Sequence, residues 1–289
     1  MSPATICVLG AAGSVGSRHA RNALALGCRV IGCDVRRVTV PGVKAVATLD
    51  EALEERPAAV IVCTPPDRHY RDALAVSEAS LPCLVEKPLT LAIEDAVALV
   101  ARYRRLGLPL AVGYQLPAIP ALRDLHEQAA SGALGQLYAA QATFAYSIRR
   151  WRSRPATYTA SIAVEASHEL ALLQWFLGSA RRVAATSRAQ GHLILAEIEF
   201  TGGAVAHAHL DGLAPAYRRH LTLYGHTRTL DWTYEREAGD QAYITELQAF
   251  LGACEGRGQP VCDGRAGAEA VRLMLAVERA GKEGAWVSI

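Results

Sequence analysis

Only three lysines occur in 289 residues, at Lys44, Lys87 and Lys282, against a large excess of arginine. An ammonium and a guanidinium are not interchangeable in a site, so each lysine is a candidate for chemistry. Lys87 stands out. It follows the apolar run Pro82–Val85 within Glu86-Lys87-Pro88, at the C-terminal end of a predicted strand, where open α/β sheets place their ligands. The second group is Gly10-Ala-Ala-Gly13-Ser-Val-Gly16, directly after the strand-like run Thr5–Leu9. Glycine at these spacings lets backbone N–H groups approach a pyrophosphate, and the following helix offers its N-terminal dipole. Asp34 closes the next strand, 18 residues after Gly16. A carboxylate there accepts from the adenosine ribose hydroxyls and repels a 2′-phosphate, which favours NAD. Arg36 and Arg37 soften that preference and leave NADP as the alternative cofactor.

The elements that must position these groups are legible. Residues 1–115 alternate strand and helix signals: strands at Thr5–Leu9, Arg29–Asp34, Ala58–Cys63, Pro82–Val85 and Leu110–Gly113, and helices at Ser14–Leu26, Asp67–Ser80 and from about Thr90 to Leu106. Thr48-Leu-Asp-Glu51 reads as a capping box opening a further short helix, and Thr90 as the cap of the longer one. Alternation of this kind means βαβ units and a parallel sheet. Wholly apolar strands such as Ala59–Cys63 fit a sheet covered on both faces. The remainder reads differently. After a helix near Ala118–Ala130 come strand candidates at Gln136–Ser147, Arg181–Arg188, His192–Phe200, Ala204–Leu210, His220–Tyr224 and Thr229–Tyr234. Glycine turns separate several of them, so the second sheet is expected to be mainly antiparallel. Helices near Asp240–Cys254 and Gly264–Ala280 close the chain. The expected architecture is an α/β Rossmann domain (1–115) followed by an α+β domain (116–289) with an open-faced sheet, serving substrate and self-association. The last helix is expected to pack back on the first domain.

Composition sets outer limits. About half the residues are hydrophobic and a fifth charged, with a formal net charge of +2, so bulk electrostatics argue for neither nucleic acid nor an anionic membrane. No apolar run approaches the roughly 18–20 residues a membrane helix needs, and the first residues do not read as a signal peptide. A cytoplasmic location is expected. Seven cysteines without a CxxC pair read as buried small hydrophobes rather than disulfides or metal ligands. His207 and His209 share a strand face but lack a third ligand, which favours packing over a metal site. Arg149, Arg150, Arg152 and Arg154 surround Trp151. They are either an anion-binding lip or a solvated loop.

Taken together, the N-terminal GxxGxxG, Thr64-Pro65-Pro66 with His69, Glu86-Lys87-Pro88, Gly113-Tyr114-Gln115 and Ser167-His168-Glu169-Leu170 resemble the glucose–fructose oxidoreductase/inositol dehydrogenase/MocA family over nearly the whole chain. The resemblance implies an NAD(P)-dependent enzyme interconverting an alcohol and a carbonyl on a sugar, polyol or sugar-derived metabolite, anionic or nucleotide-linked forms included. It implies that Lys87 and His168 are catalytic, His168 as general acid/base. Gly10, Ala12, Gly13, Ser14, Val15, Gly16, Asp34, Val35, Arg36, Thr64, Pro65, His69, Glu86 and Lys87 would hold the cofactor. Glu165, Gln115, Tyr158 and Arg152 would face substrate, with no metal. A cis Lys87–Pro88 peptide and a homodimer or homotetramer are further implications. The chain departs from the family pattern in carrying Gln115 for Asn, Leu116 for Arg, Ala171 for Asp, and Val164-Glu165 where an Asp is common; Glu165 stands there with a longer reach. The segment from Trp151 to His168 is short. An imine or enamine reductase, or a redox-silent NAD-binding regulator, are the rival readings.

Overall fold

The computed structural model describes residues 4–147, 161–234 and 240–289. In chain order these form β1 (Thr5–Leu9), α1 (Ser14–Ala25), β2 (Arg29–Cys33), β3 (Lys44–Val46), α2 (Leu49–Glu54), β4 (Ala59–Val62), α3 (His69–Glu78), β5 (Cys83–Glu86), α4 (Ile93–Leu106), β6 (Leu110–Gly113) and α5 (Pro120–Ala130). They continue with β7 (Leu137–Ser147), α6 (Ile162–Glu165), α7 (Ser167–Leu177), β8 (Ala180–Arg188), β9 (Leu193–Phe200), β10 (Val205–Asp211), β11 (Leu213–Gly225), β12 (Thr229–Thr233), α8 (Gln241–Cys254), α9 (Gly264–Glu283) and β13 (Val287–Ser288). No described helix is long and apolar enough to cross a membrane.

The chain divides into two compact units, and not by a single cut. Residues 1–118 and 238–268 form the first; residues 119–237 and 269–289 form the second. The first is built on a six-stranded sheet in the order β3-β2-β1-β4-β5-β6, with every neighbouring pair parallel. The order reverses between β1 and β4, the switch point where such sheets bind ligands. Its core combines Ile6, Val8, Val30, Ile61 and Leu84 of the sheet with Ala20 and Ala23 of α1. Leu247 and Phe250 of α8 join the same core, which is why a helix more than a hundred residues downstream belongs to this unit. The first half of the capping box at α2 is present, Thr48 Oγ1 accepting the Glu51 N–H, while Glu51 Oε2 reaches one residue beyond the N-cap and accepts from the Ala47 N–H. The cap expected at Thr90 is absent. Ala92 is the N-cap of α4 and has no side-chain acceptor to offer; Thr90 lies two residues before it, and its hydroxyl donates to the Ala92 carbonyl.

The second unit holds a seven-stranded sheet in the order β12-β11-β7-β10-β9-β8-β13. It is antiparallel throughout except where β10 runs parallel to β7. One face is packed: Ile194, Ala196, Ile198 and Phe200 alternate along β9 with the more exposed Leu195, Glu197 and Glu199. This is the pattern of an antiparallel sheet with one covered side. β11 runs well beyond the expected His220–Tyr224, because its N-terminal half pairs β7 only after a register shift between Leu213 and Arg218. That break hides the alternation in the sequence.

Candidate active site

The site of the first unit sits on the C-terminal ends of its strands. Gly10 follows β1 with φ near +80°; a Cβ there would lie 2.5 Å from the Cys63 carbonyl oxygen. A Cβ on Gly16 would lie 2.2 Å from the Gly10 carbonyl oxygen. Strand, turn and helix therefore close on one another only with hydrogen at both positions. Gly13 is the N-cap of α1 and offers no side-chain acceptor. The N–H groups of the first helical turn, Ser14, Val15 and Gly16, have no intrahelical partner by construction. A cradle that a Cβ would fill, edged by unsatisfied donors at a helix N-terminus, fits a pyrophosphate.

Asp34, one residue beyond β2, is more heavily engaged than its sequence position suggests. Its Oδ2 accepts from Ala12 N–H at 3.0 Å and from Arg36 Nη2 at 3.1 Å. Its Oδ1 accepts from Arg36 N–H at 2.9 Å and Arg36 Nε at 3.2 Å. Partial burial pushes the carboxyl up, but the Arg36 and Ala12 hydrogen bonds and the guanidinium charge outweigh this and hold it below its usual range. Arg36 thus lies across the residue expected to read the ribose, with Nη2 3.7 Å from where a Gly13 Cβ would be. Val35 projects into solvent.

Lys87 leaves the end of β5 half-buried, and the Lys87–Pro88 peptide is cis, as the resemblance implies. Glu86 beside it is buried. Its Oε1 accepts from His19 Nε2 at 2.8 Å and its Oε2 from the Lys87 N–H at 3.2 Å. Desolvation raises the Glu86 pKa, but the His19 hydrogen bond and the charges of His19 and Lys87 together bring it below the ordinary value. Glu246 of α8, near enough to feel Glu86, goes the other way: burial, then the Glu86 charge, pushes it well up. Neither Glu246 oxygen has a hydrogen-bond partner among the described residues. The two carboxyls are pushed in opposite directions, as expected when two acids share a buried space. His69, almost fully buried, reaches the Pro88 carbonyl oxygen with Nδ1 at 2.7 Å and the Thr64 carbonyl oxygen with Nε2 at 2.8 Å. Burial lowers its pKa, against the pull of those two carbonyls. Pro65 is exposed beyond Thr64, and Gln115 is buried just past β6.

In the second unit Glu165 ends the short helix α6 and His168 is the second residue of α7. His168 is 7% exposed, and Glu165 is half-buried. Glu169, next to His168, pairs with the buried Arg219 of β11 at 2.5 Å. That guanidinium lies over the rings of Phe144 and Tyr234 at 4.8 and 5.6 Å. Arg152 and Tyr158, with the rest of the arginine cluster around Trp151, lie outside the described residues. His207 and His209 face a carboxylate each, Glu197 and Asp211, at 3.9 and 3.8 Å. No cluster of three metal-type ligands occurs among the described residues.

His19, Glu246 and Arg219 escaped sequence reasoning. For His19 a signal existed: with Gly16, Ala20 and Ala23 it lies on the buried face of α1, so an ionisable group interrupts an otherwise apolar stripe. Glu246 sits likewise beside the buried Leu247 and Phe250 on α8. Nothing local marks Arg219 in a chain so rich in arginine.

Comparison with known proteins matches this geometry. Residues 4–114 fit the oxidoreductase family with an NAD-binding Rossmann fold, and residues 122–231 the GFO/IDH/MocA C-terminal domain. The inositol 2-dehydrogenase of Leifsonia xyli is 32% identical over 143 residues, covering 48% of this chain but only 41% of that protein. The 1,5-anhydro-D-fructose reductase of Ensifer adhaerens is 25% identical over 275 residues, 83% of each chain. The WlbA dehydrogenase of Bordetella pertussis, solved with NADH and UDP-GlcNAcA, superposes with a TM-score of 0.84 at 20% identity, over 99% of each chain. Both halves of the chain match the same family in order, the first half with the NAD cradle that family is described by, and the chain belongs to the GFO/IDH/MocA oxidoreductases.

Proposed function

We propose that this chain interconverts an alcohol and a carbonyl on a sugar, polyol or sugar-derived metabolite, anionic and nucleotide-linked forms included. The observation that carries the reading is a half-buried lysine at the end of β5, in the same unit as the glycine cradle at the end of β1. Bound NAD supplies the hydride acceptor. On this reading Gly10, Ala12, Gly13, Ser14, Val15 and Gly16 hold the pyrophosphate, and Asp34, Val35 and Arg36 the adenosine end. Thr64, Pro65, His69, Glu86 and Lys87 line the path to the nicotinamide. Lys87 donates a hydrogen bond to the reacting oxygen, where a preorganised positive charge stabilises developing alkoxide. His168 takes or returns the hydroxyl proton, a role suited to an imidazole near neutrality. Glu165, Gln115, Tyr158 and Arg152 orient the substrate.

Support for the substrate class comes from relatives named for inositol, anhydrofructose and UDP-N-acetylglucosamine chemistry. The test is a turnover screen following reduced-cofactor fluorescence against free sugars, inositols, nucleotide-sugars and cyclic imines. Turnover of a hydroxylated substrate supports the reading. Turnover of imines alone replaces it with the reductase alternative. NADH binding without turnover of any class replaces it with a redox-silent binder. We further propose that the protein works in the cytosol as a homodimer or homotetramer.

A further inference from the structure

Two buried histidines from distant parts of the first unit converge on the residues flanking Lys87. His19, fully buried on α1, donates through Nε2 to Glu86, whose other oxygen accepts the Lys87 N–H. His69, at the start of α3, bridges the Pro88 carbonyl and the Thr64 carbonyl. It thereby sits between the loop after β4 and the turn after β5, donating to one of them. A neutral imidazole has one N–H, so it satisfies one of those carbonyls at a time. Pro88 has no N–H, so its carbonyl is the only main-chain hydrogen-bonding group that the residue can offer.

Taking an imidazole out of water is unfavourable unless its nitrogens find partners. Each histidine places one nitrogen on a residue next to Lys87, His19 Nε2 on Glu86 and His69 Nδ1 on the Pro88 carbonyl, while His19 Nδ1 has no hydrogen-bond partner among the described residues. His19 also rides on the helix whose N-terminus forms the glycine cradle, and Tyr243 of α8 packs edge-on against it at 5.7 Å between ring centroids. The turn is therefore braced from the cradle side and from the β4 side, while Lys87 itself carries four rotatable bonds and half-exposure.

We propose that His19 and His69 are positioning residues that clamp the Glu86–Pro88 turn, fixing the orientation in which Lys87 presents its ammonium. The clamp rests on the reading of Lys87 as the substrate-facing amine. Neither histidine reaches solvent, so neither acts on substrate itself.

The chain offers a direct probe. With lysines only at 44, 87 and 282, reductive methylation with ¹³C-formaldehyde gives few lysine methyl resonances, and Lys87 is assigned by its loss in Lys87→Ala. The variants are His19→Leu, His69→Leu, His19→Gln, His69→Asn and Glu86→Gln. Each is measured for thermal midpoint, NADH affinity by fluorescence, kcat and KM, and the Lys87 methyl resonance. The leucine variants should lower kcat by roughly ten- to a hundredfold, the cost of a misplaced reacting group. KM should change by no more than about threefold, and so should NADH affinity in His19→Leu, whose residue is not among those proposed to hold the cofactor. The Lys87 resonance should move toward that of an exposed lysine. His19→Gln and His69→Asn keep an N–H donor near the lost one and should recover most of kcat. Folded leucine variants with kcat within twofold of wild type and an unmoved Lys87 resonance overturn the proposal. If a leucine variant does not fold, Glu86→Gln decides, and an unmoved resonance there overturns it equally. Normal turnover by Lys87→Ala would instead overturn the catalytic reading of Lys87, a separate failure, since the resonance still reports the clamp.

Discussion

At the scale of single residues, the proposed chemistry depends on Lys87 and His168, and their replacement separates an enzyme from a binder. His168→Ala should slow turnover by about 10²–10⁴, the usual worth of a general acid/base, with NADH affinity nearly unchanged. Lys87→Ala should also cost rate heavily, and Lys87→Arg should not restore it, because a planar fork cannot occupy an ammonium's place. Steady-state kinetics beside fluorescence titration checks both; normal turnover by folded variants at both positions removes the assignment. Cofactor choice is the second residue-scale question. Asp34 alone argues for NAD, yet four hydrogen bonds reach its carboxylate from Ala12 and Arg36, and Arg36 could instead receive a 2′-phosphate. NAD(H) should still bind several-fold tighter than NADP(H). Arg36→Ala should widen the gap and Asp34→Ala should narrow it. Titration of both reduced cofactors on both variants reads this directly; a narrowed gap in Arg36→Ala would contradict the placement of that guanidinium.

At the scale of elements, two buried ionisable groups set expectations for stability. Glu246 of α8 has its folded pKa raised by burial and by Glu86, so the folded state holds its proton more tightly than the unfolded chain. The stability this lends is complete below the ordinary carboxyl range and drains away as pH rises toward the raised folded value. Glu246→Gln keeps the shape without the titration. The melting temperature of the variant minus that of wild type should therefore grow as pH is raised from about 4 to 9; a difference flat in pH would show Glu246 to be ionised in the fold. Arg219 supplies the other case. It is buried against Phe144 and Tyr234 and paired with Glu169 at the start of α7. Removing one partner leaves an uncompensated buried charge, so Arg219→Ala should cost about 3–5 kcal/mol. Replacing both residues with apolar ones should cost less than Arg219→Ala alone. Urea melts of the single and double variants distinguish this from a surface pair, whose loss would be nearly silent.

At the scale of the whole molecule, the second sheet raises the question of what covers its exposed side. Register places Glu197, His207, Gln141, Thr222 and Asp231 in one row across five strands, and Leu195, His209, Thr143, His220 and Thr233 in the next. Leu195 is 49% exposed on this face and Val205 37%. Such a surface is mixed in character, with hydrogen-bonding groups paired within it, as between Thr222 and Asp231 at 2.6 Å. We expect a second copy to cover it, giving a homodimer or a dimer of dimers, since isologous C2 pairing is the commonest form of self-association. Light scattering at micromolar concentration should show at least twice the 30.9 kDa chain mass; a monomer would refute it.

The sequence by itself determined the parallel sheet, the glycine cradle, the position of Asp34 beyond β2 and of Lys87 beyond β5. These are carried by local rules: apolar runs bounded by breakers, glycine where a Cβ would collide, and strand ends that open/α/β sheets use for ligands. It also marked most strands of the second sheet through alternation, and lost β11 where a register shift breaks that alternation. Tertiary structure alone decided the rest. The Thr90 cap failed because the helix begins two residues later, with Ala92 at its N-cap. Helix α8 joined the first unit because Leu247 and Phe250 fit that core, a match no window around residue 247 contains. His19 found Glu86 across 67 residues, and Glu169 found Arg219 across the second sheet. Burial makes those partnerships matter, and burial is a property of the packed chain: the charge state of Glu86, Glu246 or Asp34 depends on which groups the fold brings within hydrogen-bonding reach and how much water it removes.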